Sequence, residues 1–328
     1  MKLRRLLPAL ATMAALSLGL SACGTPAEKE DPAATETFNI GVAVIVAHPA
    51  LEAAQAGFEE VLAEEGVDYK IQFENAQGDP ANAPTIATVL AGNADIDLFL
   101  AISTPVAVAM ASAEQTRPIL FTAVTDPVAD GLVPSWDAAA PNMTGTSDKN
   151  PGALPVHLIQ EIMPDVKTIG VLYTSSESNS LSQVEDYKKE AAELGITIKE
   201  QGITAASEVS VGLSALADVD AILIPTDNTV VAAIASVIAF GQENKIPVFC
   251  ADSSTVEAGT VATRGLNYHD LGRRTGEMAV GILRDGKTVA DFAPEAPVST
   301  DLSISKAAAE SFGITLPDAL IAEAKTTF

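Results

Sequence analysis

Cysteine and histidine, two residue types that commonly hold metals or act in catalysis, are scarce in this chain of 328 residues. It has two cysteines and three histidines, and His48, His157 and His269 form no pair at metal-ligating spacing. The sequence contains no GxSxG elbow, no Walker A loop, no GxGxxG and no CxxC. We therefore expect no enzyme activity, no cofactor and no metal, and we expect a binding protein.

Basic charge is also in short supply. Only 19 lysines and arginines oppose 43 acidic residues, which gives a formal net charge of −24. A surface of this sign repels nucleic acid and anionic lipid headgroups, so neither is an expected partner.

The N-terminus carries a pattern typical of an exported lipoprotein. Lys2, Arg4 and Arg5 precede an apolar run, residues 6–20, that is too short to span a membrane. The run ends in Leu-Ser-Ala-Cys at Cys23, which resembles a bacterial lipobox. We predict a lipoprotein signal peptide over 1–22, lipidation of Cys23 and a disordered tether over 23–37, which would leave the body extracytoplasmic and anchored only by lipid. The alternative is an ordinary signal peptide with an incidental cysteine.

Four apolar runs end abruptly in small polar residues. They are Pro118–Pro127, Ile246–Ser254, Asp97–Pro105 and Asp220–Asn228. Short two-sided apolar runs are typical of buried parallel strands. Ligands bind beyond the carboxyl ends of such strands, so these corners are candidate binding positions.

Strands and helices alternate twice in the same order. Ile40-Gly41-Val42 and Ile169-Gly170-Val171 begin the two halves, 129 positions apart. The pattern predicts an α/β protein with two doubly wound, Rossmann-like lobes joined by multiple hinge crossings. We expect residues 38–145 plus 267–286 in the N-terminal lobe and 146–266 plus 287–328 in the C-terminal lobe.

Several segments together resemble one family. They read HPALEAAQAGFEE, ENAQGDPAN, FTAVTDPVADGLV, NMTGTSD, TIGVLYTSSESNS, PTDNTVV and LGRRTGEMA. From about residue 38 onward the chain resembles the ABC-transporter substrate-binding lipoproteins of the tryptophan/tyrosine-binding group, which have the type I periplasmic-binding-protein fold. The resemblance implies a monomer that closes its lobes on an amino acid, aromatic in this group, and delivers it to an ABC permease with its ATPase.

Candidate ligand residues lie at the polar corners. Hydroxyls and helix N-termini suit a ligand carboxylate, whereas aspartates suit an ammonium group. Helix capping, an Asx-turn or a hinge position are the structural alternatives for many of them. The candidates are His48, Ser103, Thr104, Thr125, Asp126, Thr146, Ser147, Asp148, Ser175, Ser176, Asn179, Ser180, Thr226, Asp227, Asp252 and Tyr268.

Two other functions stay open at this point. The same fold could receive a sugar or a nucleoside, although sugar sites usually display more aromatics than the 5% found here. The protein could also present its ligand-closed shape to a signalling receptor.

Overall fold

The structure is a computed structural model that describes residues 37–150 and 155–328. The predicted signal peptide, Cys23 and tether residues 24–36 lie outside the described residues. None of the described helices is long and apolar enough to cross a membrane.

The described elements alternate as the sequence pattern predicts. The strands are β1 (Thr37–Val44), β2 (Asp68–Asn75), β3 (Leu98–Ile102), β4 (Ile119–Val124), β5 (Met143–Ser147), β6 (Thr168–Thr174), β7 (Thr197–Ile203), β8 (Ala221–Ile224), β9 (Val248–Cys250), β10 (Ala262–Gly265), β11 (Asp301–Ile304) and β12 (Thr326–Thr327). The helices are α1 (Pro49–Glu64), α2 (Ala83–Gly92), α3 (Thr104–Ala113), α4 (Pro155–Ile162), α5 (Ser178–Leu194), α6 (Val209–Ser214), α7 (Asn228–Ala232), α8 (Ile234–Asn244), α9 (Thr255–Ala258), α10 (Tyr268–Leu283), α11 (Lys306–Ser311) and α12 (Asp318–Glu323). Short 3-10 turns lie at Pro80–Asn82, Ala206–Glu208 and Val289–Asp291.

Two parallel sheets form the centres of two lobes. The first has the order β2-β1-β3-β4-β5 and the second the order β7-β6-β8-β9. Every residue of β3, β4 and β8 is buried, because helices cover both faces of each sheet. The predicted fold class, an α/β protein with two doubly wound lobes, is confirmed.

Each lobe has its own hydrophobic core. Phe58, Phe99 and Phe121 are fully buried in the first. The second is built around β6, β8 and β9, and a third sheet, in which β11 pairs with both β10 and β12, adds residues to it.

The chain passes between the two cores three times. It leaves the first core after β5, returns at α10, and leaves again beyond Glu295, whose backbone pairs with β5. Helix α10 packs so closely on α1 that a Cβ on Gly272 would lie 1.8 Å from the carbonyl oxygen of Ala54. Three crossings allow the lobes to close as rigid bodies and oppose twisting.

The structure adds elements that the sequence pattern did not predict. Strand β5 extends the first sheet to Ser147, and Phe292 packs on the first core, so the first lobe extends beyond the predicted boundaries at residues 145 and 286. Strand β5 contains the sequence Thr-Gly-Thr-Ser and has no apolar run. It is nevertheless buried, because the hydroxyls of Thr144 and Thr146 form hydrogen bonds. After β8 the helical segment is interrupted at Ala233, which divides it into α7 and α8.

Candidate ligand-binding site

The polar corners of both sheets meet at two adjoining cavities. The inner cavity, of about 10 Å³, has room for about one water. It is lined by His48, Leu51, Ala123, Thr125, Asp148, Asn179, Thr226, Asp227, Asn228, Val231, Asp252 and Tyr268. The outer cavity, of about 320 Å³, is lined by four of these same residues, namely Thr125, Asp148, Thr226 and Tyr268. Since they share walls, the two cavities form one cleft.

The first lobe holds two residues of the cleft region in strained backbone conformations. Ser103, directly after β3, has φ +91°, and Ala123, within β4, has φ +55°. A non-glycine residue rarely adopts positive φ, and such strain clusters at ligand sites. The β4–β5 register shifts between Phe121 and Val124, which is where Ala123 turns toward the inner cavity.

Several buried polar atoms on the first lobe have no hydrogen-bond partner among the described residues. They are both ring nitrogens of His48 and Oγ of Ser103. His48 lies just before α1, but its side chain does not cap that helix. Ser103 lies just before α3, whose first residue Thr104 accepts a hydrogen bond from the backbone of Thr125 at 3.3 Å. Buried polar groups are nearly always paired, so orphan atoms in a cleft mark the places where a ligand binds.

Asn179 supplies a fourth orphan atom, this time from the second lobe. Its amide nitrogen donates to the carboxylate of Glu177 at 3.1 Å and to the carbonyl of Thr226 at 2.9 Å. These acceptors fix the orientation of the amide, and Oδ1 is left buried without a donor among the described residues. The inner cavity therefore offers an acceptor at this point.

Glu177 is the most heavily hydrogen-bonded group of the site, although it was not among the predicted residues. Its carboxylate accepts from Asn179, from the backbone and side chain of Asn228, and from the backbone and side chain of Thr229, at 2.6–3.1 Å. Burial, and then the nearby charge of Asp227, raise its pKa. Glu177 therefore ties the start of α5 to the start of α7.

Asp227 accepts four hydrogen bonds, one fewer than Glu177. It caps α7 through the backbone N–H of Val230, and it accepts further bonds from the backbone and hydroxyl of Thr174 and from the hydroxyl of Ser180. Burial raises its pKa. With both oxygens occupied, Asp227 acts chiefly as a support for the corner after β8.

Asp148 connects two of the three crossings. Its oxygens accept from the hydroxyls of Thr125 and Tyr268, at 2.8 Å and 2.9 Å. Burial raises the pKa of Asp148, and its hydrogen bonds with Thr125 and Tyr268 oppose that rise. It borders both cavities and carries no cationic partner among the described residues.

Asp252 faces His48 across the two lobes. Its Oδ1 accepts from the backbone of Ser254 at 2.8 Å, whereas Oδ2 lies 4.0 Å from Nδ1 of His48. That separation is too long for a hydrogen bond. Burial lowers the pKa of His48, and the negative charge of Asp252 opposes that shift. One carboxylate oxygen of Asp252 thus stays available to a ligand.

The structure brings half of the predicted residues to the inner cavity and leaves others away from it. Asp126 pairs with Lys149 and accepts from the backbone of Ala129, so it forms a turn with a surface ion pair. Thr146 and Ser147 lie within β5, where Thr146 contacts Thr122 and Thr275. Their hydroxyls stabilise the hinge side of the first lobe.

The remaining predicted residues support the corners. Ser175 is exposed and donates to the carbonyl of Ile203, Ser176 is also exposed, and Ser180 donates to Asp227. Sequence reasoning missed Glu177, Asn228, Tyr187 and Gln183. An acidic residue amid the serines of SSESNS was the available signal for Glu177, because a carboxylate in such a corner suits helix N-termini.

Two lobes whose polar strand ends converge on one cleft define a clamp-type binding protein. A model of the ABC transporter substrate-binding protein family matches residues 39–328, and the chain belongs to that family. Its members are binding proteins and not enzymes, and they act outside the cytoplasm.

Similar proteins bind aromatic amino acids. The chain is 38% identical over 267 residues to a tyrosine-binding protein of Clostridioides difficile, covering 80% of this chain and 76% of that one. It is 36% identical to a solved ABC domain from Streptococcus pneumoniae in complex with L-Trp, with a TM-score of 0.85 over 89% of this chain and 100% of that one. The expected resemblance to the tryptophan/tyrosine-binding group is confirmed.

A third relative bears on the arrangement of the lobes. A ligand-free, open substrate-binding protein with adhesive properties from Clostridium difficile is 39% identical, with a TM-score of 0.64 over 88% of this chain and 98% of that one. Sequence identity to the two structures is nearly equal, yet the L-Trp complex aligns better. The lobes here are therefore arranged more as in the ligand-bound relative.

Proposed function

We propose that this protein captures an aromatic amino acid between its lobes and delivers it to an ABC permease. The observation that carries the proposal is a pair of residues with orphan polar atoms, His48 of the first lobe and Asn179 of the second, which line one inner cavity. A ligand that supplies partners to both lobes favours the closed form, because it binds that form better than the open one.

The polar groups around the inner cavity suit the charged end of an amino acid, which requires the cavity to widen beyond its room for about one water. Asp252 Oδ2 and Asn179 Oδ1 are acceptors for an ammonium group. One His48 N–H is a donor for a carboxylate. Burying both charges requires hydrogen-bonded partners of this kind.

The outer cavity suits the side chain of that amino acid. Tyr187, Tyr268, Leu266 and Pro155 supply aromatic and apolar wall. Ligand pockets are mostly apolar with a few placed polar groups, and an aromatic ring fits that description.

The relatives and the N-terminal pattern support a role in transport. The family is that of ABC transporter substrate-binding proteins, and the lipobox-like sequence before Cys23 favours a lipid anchor beside the permease. Mass spectrometry of the protein from membranes tests the anchor, which requires a diacylglyceryl group on Cys23.

A thermal-shift series on the purified protein tests the ligand. Tryptophan, tyrosine and phenylalanine are compared with leucine and with a sugar such as ribose. A ligand at one hundred times its Kd adds about 2.7 kcal/mol to the free energy of unfolding, which is a readily visible shift. The proposal is wrong if the sugar raises the melting temperature and the three aromatic amino acids do not.

A further inference from the structure

One face of α5 runs along both cavities. Asn179 lines the inner cavity, and Gln183, Tyr187 and Glu190 line the outer one. Spacings of four, eight and eleven residues place these side chains along one side of the helix. The face therefore leads from the charged-end site to the far end of the cleft.

The middle of this face has no free polar group to offer. The Tyr187 hydroxyl donates to Oε1 of Gln183 at 3.0 Å, and Gln183 also bonds to the backbone and hydroxyl of Thr226. These groups satisfy one another, so the wall presents mainly apolar surface in this part.

The C-terminal end of this α5 face, in contrast, carries a polar group without a partner. Glu190 has a side chain only 12% exposed, and its Oε2 is buried without a hydrogen-bond partner among the described residues. The backbone N–H of Val156 bonds to the same carboxyl group, and Nδ1 of His157, also without a partner there, lies 3.9 Å away. Burial raises the pKa of Glu190 to about 7. Oε2 is thus a buried acceptor without a partner on a residue that lines the outer cavity.

The distance between the two polar ends limits what can bridge them. Eleven residues of helix separate Asn179 from Glu190, a rise of roughly 16 Å. This rise separates Cα atoms, and the Asn179 and Glu190 side chains can lean toward each other across part of it. A ligand with a ring and a polar group beyond the ring reaches further toward Glu190 than a short aliphatic amino acid does.

We propose that Glu190 is a specificity-determining residue that accepts a hydrogen bond from an O–H or N–H donor at the far end of the ligand's aromatic ring. The preferred class is then an amino acid with a phenolic hydroxyl, favoured over its counterpart without one. This inference rests on the proposed function of the same cleft.

Calorimetric Kd values for tyrosine, phenylalanine and O-methyltyrosine test the proposal. Above pH 7, where the Glu190 carboxyl is mostly ionised, tyrosine should bind the unaltered protein roughly 10- to 150-fold tighter than phenylalanine, because a hydrogen bond to a charged group contributes about 1.5–3 kcal/mol. O-Methyltyrosine lacks the donor and should bind no tighter than phenylalanine.

Two variants locate the effect at Glu190. Glu190→Ala should bring the tyrosine-to-phenylalanine ratio to about 1 while phenylalanine affinity stays within about threefold. Glu190→Gln keeps a carbonyl oxygen for Val156 and replaces the other oxygen with an amide, so its ratio should be intermediate. Glu193→Gln, at an exposed position on the same helix, is the matched control and should behave like the unaltered protein. Melting temperatures of all variants report whether α4 is still held.

Each other outcome overturns the inference. A tyrosine preference that survives in Glu190→Ala removes Glu190 from recognition and leaves it as a contact for α4. Equal binding of tyrosine, phenylalanine and O-methyltyrosine by the unaltered protein removes the far-end contact while the proposed function stands. If no aromatic amino acid binds, the proposed function fails as well.

Discussion

The two sides of the inner cavity differ in how fully their polar groups are bonded. On the second lobe, Glu177 accepts five hydrogen bonds and Asp227 caps α7 while holding Thr174 and Ser180. On the first lobe, His48 and Ser103 have buried polar atoms without a partner among the described residues. Both sides are polar and buried, so composition alone does not distinguish them.

The difference separates groups that support the site from groups that recognise a ligand. A carboxylate with every lone pair occupied has nothing left for a ligand, and its removal leaves donors unpaired. An orphan atom contributes little to the folded state, and it gains a partner when a ligand binds. Variants of fully bonded groups should therefore change stability, and variants of groups with an unbonded polar atom should change affinity, whichever lobe carries them.

Glu177→Ala should have the largest effect. It leaves the N–H groups and side chains of Asn228 and Thr229 unpaired, and we expect a loss of about 3–5 kcal/mol in the free energy of unfolding. Denaturant unfolding followed by circular dichroism measures it. A loss below about 1 kcal/mol would contradict the supporting role.

Asp252→Ala should show the opposite pattern. Asp252 Oδ2 lacks a hydrogen bond, and we expect roughly 10- to 100-fold weaker amino-acid binding because a charge-assisted bond to the ammonium is lost. Stability should change little. Calorimetry on Asp252→Ala and the isosteric Asp252→Asn checks this, and unchanged affinity in both would exclude Asp252 from the site.

His48→Ala should weaken binding by roughly tenfold, since it removes one hydrogen bond to the ligand carboxylate. The melting temperature without ligand should stay the same or rise, because a buried group without a partner is removed. His48→Gln retains a donor and should recover part of the affinity. A fall in stability with no change in Kd would mean that His48 supports the fold instead.

Asp148→Asn should flatten the pH dependence of stability. Burial raises the pKa of Asp148, so its stabilising contribution is complete below the usual carboxyl pKa of about 4 and declines as pH rises through the raised value. The unaltered protein should lose more stability than the variant over that window, by on the order of 1 kcal/mol for each unit of pKa shift. Melting temperatures between pH 4 and 8 test it; parallel curves would contradict it.

Asp126→Ala should have the smallest effect. Its ion pair with Lys149 is partly exposed, and such pairs contribute about 0.2–1 kcal/mol. Ligand affinity should stay within about twofold, in contrast to Asp252→Ala. A tenfold loss would place Asp126 in the ligand site.

Sequence patterns predict more of the fold than of the ligand-binding site. The four apolar runs contain the buried strands β3, β4, β8 and β9, because an apolar run follows directly from burial on both faces of a sheet. Strand β5 was not predicted, since hydroxyl pairing between Thr122 and Thr146 replaces the apolar signal.

The corners themselves were predictable, but the bonding state of each polar residue was not. Asp126, Asp227 and Asp252 all follow strands and look equivalent in the sequence. They differ because Lys149, Thr174 and His48 approach them from distant segments. Which aspartate keeps a free oxygen depends on those tertiary contacts.

Because of the orphan atoms, closure of the two lobes reports whether a ligand is bound. In the closed form without ligand, His48, Ser103 and Asn179 have buried polar atoms without a partner among the described residues. Each such group raises the free energy of that form by about 1–3 kcal/mol. The closed form is therefore unfavourable without ligand and becomes favourable when a ligand completes the hydrogen bonding. A partner protein that binds only the closed form would therefore bind ligand-loaded molecules and not ligand-free ones, without contacting the ligand.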